Sequence, residues 1–214
     1  MTGSFELRPE SVSPEAGALL DPGVYGSHYR ELAENLRAAG GAPGSVVVTG
    51  VGEGVGCSSV CLGLGGALVS LGVSAAVVDC DLESPGLHRM LGEPNFTGLT
   101  IAQRERETLE NYGYEPISGL LVVPTGPIPE DSAAALRPEK VSRAVEELRE
   151  SRDVVILDSP GYREIEEAGI CRELDGVLLV IHASQTSKSE AREAAKRLTD
   201  HGANLLGVVL NGGA

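Results

Sequence analysis

Tryptophan is absent from this sequence, and only two phenylalanines and five tyrosines occur among its 214 residues. A core with so few large rings has to be filled by aliphatic side chains, and Val, Leu and Ala dominate an apolar fraction of 42%. Cations are also scarce: 17 Lys and Arg stand against 31 Asp and Glu, a net charge of −14. That balance excludes a broad polyanion-binding surface, so neither nucleic acid nor an anionic membrane is an expected partner. No apolar run approaches the ~18 residues of a membrane span, and the start MTGSFELRPE has no signal-peptide character. The four cysteines, Cys57, Cys61, Cys80 and Cys171, fall within apparent strands and helices, without a secreted disulfide spacing. A reducing cytoplasm is the expected setting.

Glycine, by contrast, is abundant, with 28 residues. Residues 1–24 are rich in Pro, Ser, Gly and Glu without periodicity, and read as a flexible arm ahead of a single domain, 25–214. A helix is expected over 25–39, then an alternation of strands and helices. Six short apolar strands are read at 45–49, 73–78, 120–123, 153–157, 176–181 and 205–210. Helices are expected after the first strand (Val60, Cys61, Leu64, Leu68 and Leu71 at helical spacing) and near 138–150 and 187–201. Continuously apolar strands joined by helices predict an α/β fold: a doubly wound, mostly parallel sheet with helices on both faces. In such sheets ligands sit beyond the carboxyl ends of the strands, so the residues closing each strand carry the chemistry.

After the first strand runs Gly50-Val51-Gly52-Glu53-Gly54-Val55-Gly56-Cys57-Ser58-Ser59. Alternate glycines let backbone amides turn inward, and a helix amino terminus adds partial positive charge, which together make a phosphate cradle. A P-loop ends in Gly-Lys-Ser/Thr. Here the magnesium hydroxyl is present as Ser58, but Cys57 stands at the lysine position. The candidate phosphate-binding set is Gly54, Val55, Gly56, Cys57, Ser58 and Ser59. Asp79 and Asp81 close the second strand and Asp158 the fourth, the positions from which carboxylates serve magnesium and an attacking nucleophile.

From about residue 29 to 212 the chain resembles the cytoplasmic kinase domain of bacterial tyrosine kinases that control capsule and exopolysaccharide export, within the deviant-Walker P-loop ATPases. Four segments carry the likeness: 54–72, VVDCDLESPGLHRMLGEPNFTGL (77–99), PTGPIPEDSAAAL (124–136) and DVVILDSPG (153–161); DGVLLVIHA and GVVLNG follow in register. The resemblance implies catalytic roles for Asp79 and Asp81, magnesium held by Ser58 and Asp158, an adenine-side role for Asn211, and a further carboxylate at Glu167. It also implies Mg-ATP or Mg-ADP as cofactor and a membrane polysaccharide copolymerase as partner, with the protein peripheral to the inner membrane face.

Departures from the pattern point the other way. The additional lysine of the partitioning ATPases falls on Gly52, and the basic pair after the DxD motif is Glu83-Ser84. The family's Glu-x-x-Arg-x-x-Arg oligomerisation motif reads Ser27, Arg30, Ala33, so a monomer or dimer is expected in place of a ring. The tyrosines are scattered, with no tyrosine-rich tail. These departures favour a regulatory or scaffolding pseudo-enzyme with weak or absent nucleotide affinity and vestigial Asp79 and Asp81. Two alternatives stay open: a weakly active kinase or ATPase with a compensating cation, for which Lys188 is one source, and a thiol or metal site at Cys57, Cys61 and Cys80. In the thiol reading, a cysteine at a helix amino terminus is expected to have a depressed pKa. The four histidines (28, 88, 182, 201) show no metal spacing, and SEAREAAKR (189–197) reads as a solvated helix face.

Overall fold

A computed structural model describes residues 12–21, 23–24, 26–38 and 44–212. Seven strands form one sheet: β1 (Ser45–Gly50), β2 (Ala75–Asp79), β3 (Tyr114–Ile117), β4 (Leu120–Val123), β5 (Val154–Asp158), β6 (Gly176–His182) and β7 (Leu205–Asn211). Their order is β3-β4-β2-β5-β1-β6-β7, with every pair parallel except β3–β4. The doubly wound parallel sheet is thus present, with one more strand than the sequence pattern predicts. β3 escapes that pattern because it is four residues long and carries Pro116, tolerated at a sheet edge where one row of amides needs no partner.

Strand residues alternate between the two faces, as a period of two requires. Val46, Val48, Val77 and Ile156 pack with α1 (Pro14–Leu20), α2 (Gly26–Ala38) and α3 (Cys57–Ser70). Val47, Val78, Val155 and Leu179 pack on the other side, with α5 (Leu99–Glu105), α6 (Pro138–Leu148), α7 (Tyr162–Ala168) and α8 (Lys188–Asp200). A single turn, α4 (Leu87–Met90), follows β2. α3 is apolar around its whole circumference because strands and helices enclose it. Gly63 permits the closest of these approaches: a Cβ there would lie 2.5 Å from the Tyr29 ring.

The segment read as a flexible arm needs correction over its described part. Pro14 sits in the first turn of α1, the Ser13 hydroxyl accepts the Ala16 amide at 3.1 Å, and Ala16, Leu19 and Leu20 are buried against α3. The Pro, Ser and Glu that suggested a linker are helix-start residues here. Residues 1–11 lie outside the described residues. In α2, Ala33 is wholly buried, while Arg30 pairs with Glu34 at 3.0 Å on the exposed side.

Candidate phosphate-loop site

The ends of β1, β2 and β5 bring together most of the residues singled out from the sequence. Asp79 and Asp158 close adjacent strands as register partners, and the glycine loop crosses from β1 to α3. Gly52, Gly54 and Gly56 all have positive φ. Gly56 is the N-cap of α3 at φ 97°, and a Cβ there would lie 2.1 Å from the Asn211 amide nitrogen. Only glycine satisfies both constraints. The Asn211 side chain donates to the Val55 carbonyl at 2.9 Å, so the last strand braces the loop. The resemblance implies an adenine-side role for Asn211; the bracing is a further role that no spacing in the chain reveals.

Asp79 is fully buried and accepts three backbone amides: Asp81 at 3.1 Å, and Gly86 and Leu87 at 3.2 Å. The Ser84-Pro85-Gly86 segment aims the last two, and its Ser-Pro-Gly composition is a local signal for that bend. Burial nevertheless dominates and, with Asp81's charge, pushes Asp79 up to about 7 against those amides. Asp158 is also raised well above the ordinary carboxylate range, by burial first and then by Asp79, with the Ser58 hydroxyl and Cys61 thiol partly offsetting this. Its Oδ2 is buried without a hydrogen-bond partner. Ser58 faces the same space, since a Cβ on Gly86 would lie 2.8 Å from its Oγ. Asp81 is half-buried and accepts the Glu83 and Ser84 amides at 3.2 and 2.9 Å.

Cys57 overturns the thiolate expectation. Its sulfur turns back toward the strand end, where a Cβ on Gly50 would stand 3.0 Å from it. Burial, then the charges of Asp158 and Asp81, push the thiol far above its usual range. The helix amino terminus is outweighed, and the thiol stays protonated at neutral pH. Cys61 and Cys80 are buried and raised likewise. Among the described residues no group of three or more His, Cys, Asp or Glu is spaced to hold a metal, so a thiol-metal centre finds no support.

The geometry tests the nucleotide site in two halves. A buried unpartnered carboxylate oxygen beside a serine hydroxyl fits magnesium, and the positive-φ glycines fit a phosphate. The side chain that would meet the terminal phosphates does not fit, because Cys57 supplies neither charge nor reach. Glu167, read as a further carboxylate, is exposed on α7. The buried acid of that helix is Glu166, held by Arg197 through two 2.9 Å bonds.

The family model for cellulose biosynthesis protein BcsQ matches residues 44–206. The chain belongs to the BcsQ family. Curated relatives of this BcsQ-family chain are bacterial tyrosine kinases. It is 28% identical over 170 residues to the tyrosine-protein kinase YwqD of Bacillus subtilis strain 168, covering 78% of this chain and 72% of YwqD. It is 28% identical over 137 residues to the putative tyrosine-protein kinase CapB of Staphylococcus aureus, covering 63% of this chain and 60% of CapB. Against the kinase wzc of Salmonella typhi the match spans 23% of that protein's length. Among solved structures, the chimerical protein CapA2B2 superposes with a TM-score of 0.79 at 25% identity, over 87% of this chain and 84% of that one. The kinase domain of Escherichia coli ETK gives 0.84 at 21% identity over 96% and 82%, a likeness of fold.

Proposed function

We propose that this protein is a degenerate member of its family: a P-loop scaffold of regulatory or partner-binding role, with weak or absent nucleotide affinity and little or no phosphoryl transfer. The observation that carries this reading is Cys57, an uncharged, inward-turned thiol at the position from which a loop lysine serves the terminal phosphates. Phosphoryl transfer depends on positioning and on neutralising charge. Loss of one such cation costs ~3–5 kcal/mol of transition-state stabilisation, at least about 10²–10³-fold in rate. Asp79 and Asp158 compound the deficit, since two buried acids already oppose each other's ionisation and a nucleotide adds further negative charge.

In a bound state, residues 54–59 would hold phosphate through their amides, and Ser58 with Asp158 would hold magnesium. Magnesium bound there supplies charge neutralisation. Ser58 and Asp158 orient the cation, and Asp79 holds Gly86 and Leu87 in place behind them. Asp79 and Asp81 are vestigial as catalytic groups in this reading. The BcsQ-family membership and the kinase relatives support a role in polysaccharide export, beside a membrane copolymerase, on the cytoplasmic side. No helix among the described residues is long and apolar enough to cross a membrane. Assembly is expected to stop at a monomer or dimer, since Ala33 is buried where the ring motif places an arginine.

The test is a phosphate-release and autophosphorylation assay on the purified chain with magnesium, with light scattering on the same sample. Turnover at or below a buffer control, from a monomer or dimer, is expected. ATP hydrolysis at rates seen for the kinase relatives means another cation serves the loop and overturns the pseudo-enzyme reading. A discrete ring overturns the assembly reading alone.

A further inference from the structure

In a chain of net charge −14, four of the 17 Lys and Arg line one groove. It lies between the end of α5 and the outer side of α6, on the opposite face of the sheet from α3, with a volume of about 440 Å³. Ala102, Leu109 and Ala144 form an apolar floor, and Arg104, Arg106, Lys140 and Arg143 stand exposed along its walls. Arg104 pairs with Glu105 at 2.8 Å. Among the described residues, the side chains of Arg106, Lys140 and Arg143 make no ion pair or hydrogen bond. The two carboxylates of the groove are engaged locally: Glu147 accepts the Leu109 amide at 2.5 Å and Glu107 the Tyr112 hydroxyl at 3.0 Å. The lining therefore carries four cations and two carboxylates, a local excess of positive charge in a chain whose acids outnumber its cations 31 to 17.

Backbone conformation adds a second, independent observation. Arg106 is the one described non-glycine residue with positive φ, at 60°, where it caps α5. That position favours glycine, because a side chain in the left-handed region costs about 1–2 kcal/mol. An arginine held there sacrifices helix-end stability and delivers a guanidinium to the groove wall, and strain of this kind gathers at functional sites.

We infer that the α5–α6 groove is a docking site for an acidic segment of a partner protein. Guanidinium forks match carboxylates in two-bond geometry. The cations stand on both walls of an open groove with an apolar floor, which fits a peptide laid along it, its carboxylates at the rims and its apolar side chains inward. This goes beyond the phosphate-loop reading and holds whether or not nucleotide binds. Because the chain as a whole repels acids, saturable binding of an acidic peptide has to be local.

The experiment is fluorescence anisotropy of a labelled Glu- and Leu-containing peptide titrated with the full chain, at low and high salt. Saturable binding that weakens with salt is expected. Arg106→Glu and Arg143→Glu should each weaken it about tenfold or more, while Arg192→Glu, exposed on α8 outside the groove, should change it less than about twofold. Arg106→Gly should raise the thermal midpoint yet weaken binding, separating the groove from fold stability. Amide chemical shifts on peptide addition should move at 102–109 and 140–147. No saturable binding, binding indifferent to the groove substitutions, shifts elsewhere, or preferential capture of inorganic pyrophosphate at the groove would each overturn the inference.

Discussion

At the ends of β1, β2 and β5, two buried carboxylates converge on a glycine loop whose cation position holds a thiol. Across the sheet, the α5–α6 groove collects four cations on an apolar floor. Both regions are built from a backbone held in left-handed conformations, by Gly56 at φ 97° in one and Arg106 at φ 60° in the other. They differ in what that backbone presents. The loop keeps the frame of an anion site and lacks its countercharge, whereas the groove has countercharge in a place where the nucleotide fold does not require it. Backbone shape is thus alike in the two regions, and side-chain charge is what sets them apart.

The contrast breaks most sharply at Gly56. Gly56→Ala combines a left-handed residue with a Cβ driven into the Asn211 amide, and a loss of about 2–4 kcal/mol in urea unfolding is expected. An unchanged midpoint would mean the loop is not held as described.

Proton linkage gives the next effect. Asp79 has a folded value of about 7 against 3.8 ordinarily, so between those values the native state keeps a proton that the unfolded chain has lost. Stability therefore falls as pH rises through this window, by up to about 1.4 kcal/mol per pH unit for one proton, and levels off above it. Asp158 acts in the same direction. Glu166 has the opposite sign: Arg197 holds it below 4.5, so its contribution is present above that value and lost as pH falls further. Thermal midpoints measured from pH 8 downward should rise to a maximum at about pH 4, where Glu166 begins to lose its contribution, and then fall. Asp158→Asn should flatten the rise by removing the charge beside Asp79. A midpoint that climbs steadily toward pH 8 would contradict the picture of uncompensated buried acids.

The smallest effect is at Asn211. Asn211→Ala removes the bond to Val55 and should cost about 1 kcal/mol, read by denaturant unfolding. A larger loss would make the last strand a principal support of the loop.

The sheet was legible because most of its strands are short apolar runs dominated by Val, Leu, Ile and Ala, and because Asp79 and Asp158 close two of them. What stayed hidden was either weakly patterned or non-local. β3 has four residues and a proline. α1 hides in Ser, Pro and Glu, although Ser13-Pro14-Glu15 is a helix start. The sequence leaves a reactive Cys57 open as an alternative because a helix terminus is a local feature, while the burial and the two acids that outweigh it come from β5 and the loop after β2. The groove could not be read at all, since Arg106 and Arg143 meet only after α5 and α6 have packed on the same sheet.

In the proposed reading the phosphate loop lacks its cation and otherwise keeps its frame. Magnesium-dependent ATP and ADP calorimetry on the wild-type chain and on Cys57→Lys decides this. One close charge pair at an effective dielectric of ~20 is worth about 4 kcal/mol before desolvation. After that discount, a gain of ~1–2 kcal/mol, roughly tenfold in affinity, is expected over a weak or undetectable wild-type signal. Tight binding by the wild-type chain, or no gain from the lysine, would contradict the claim.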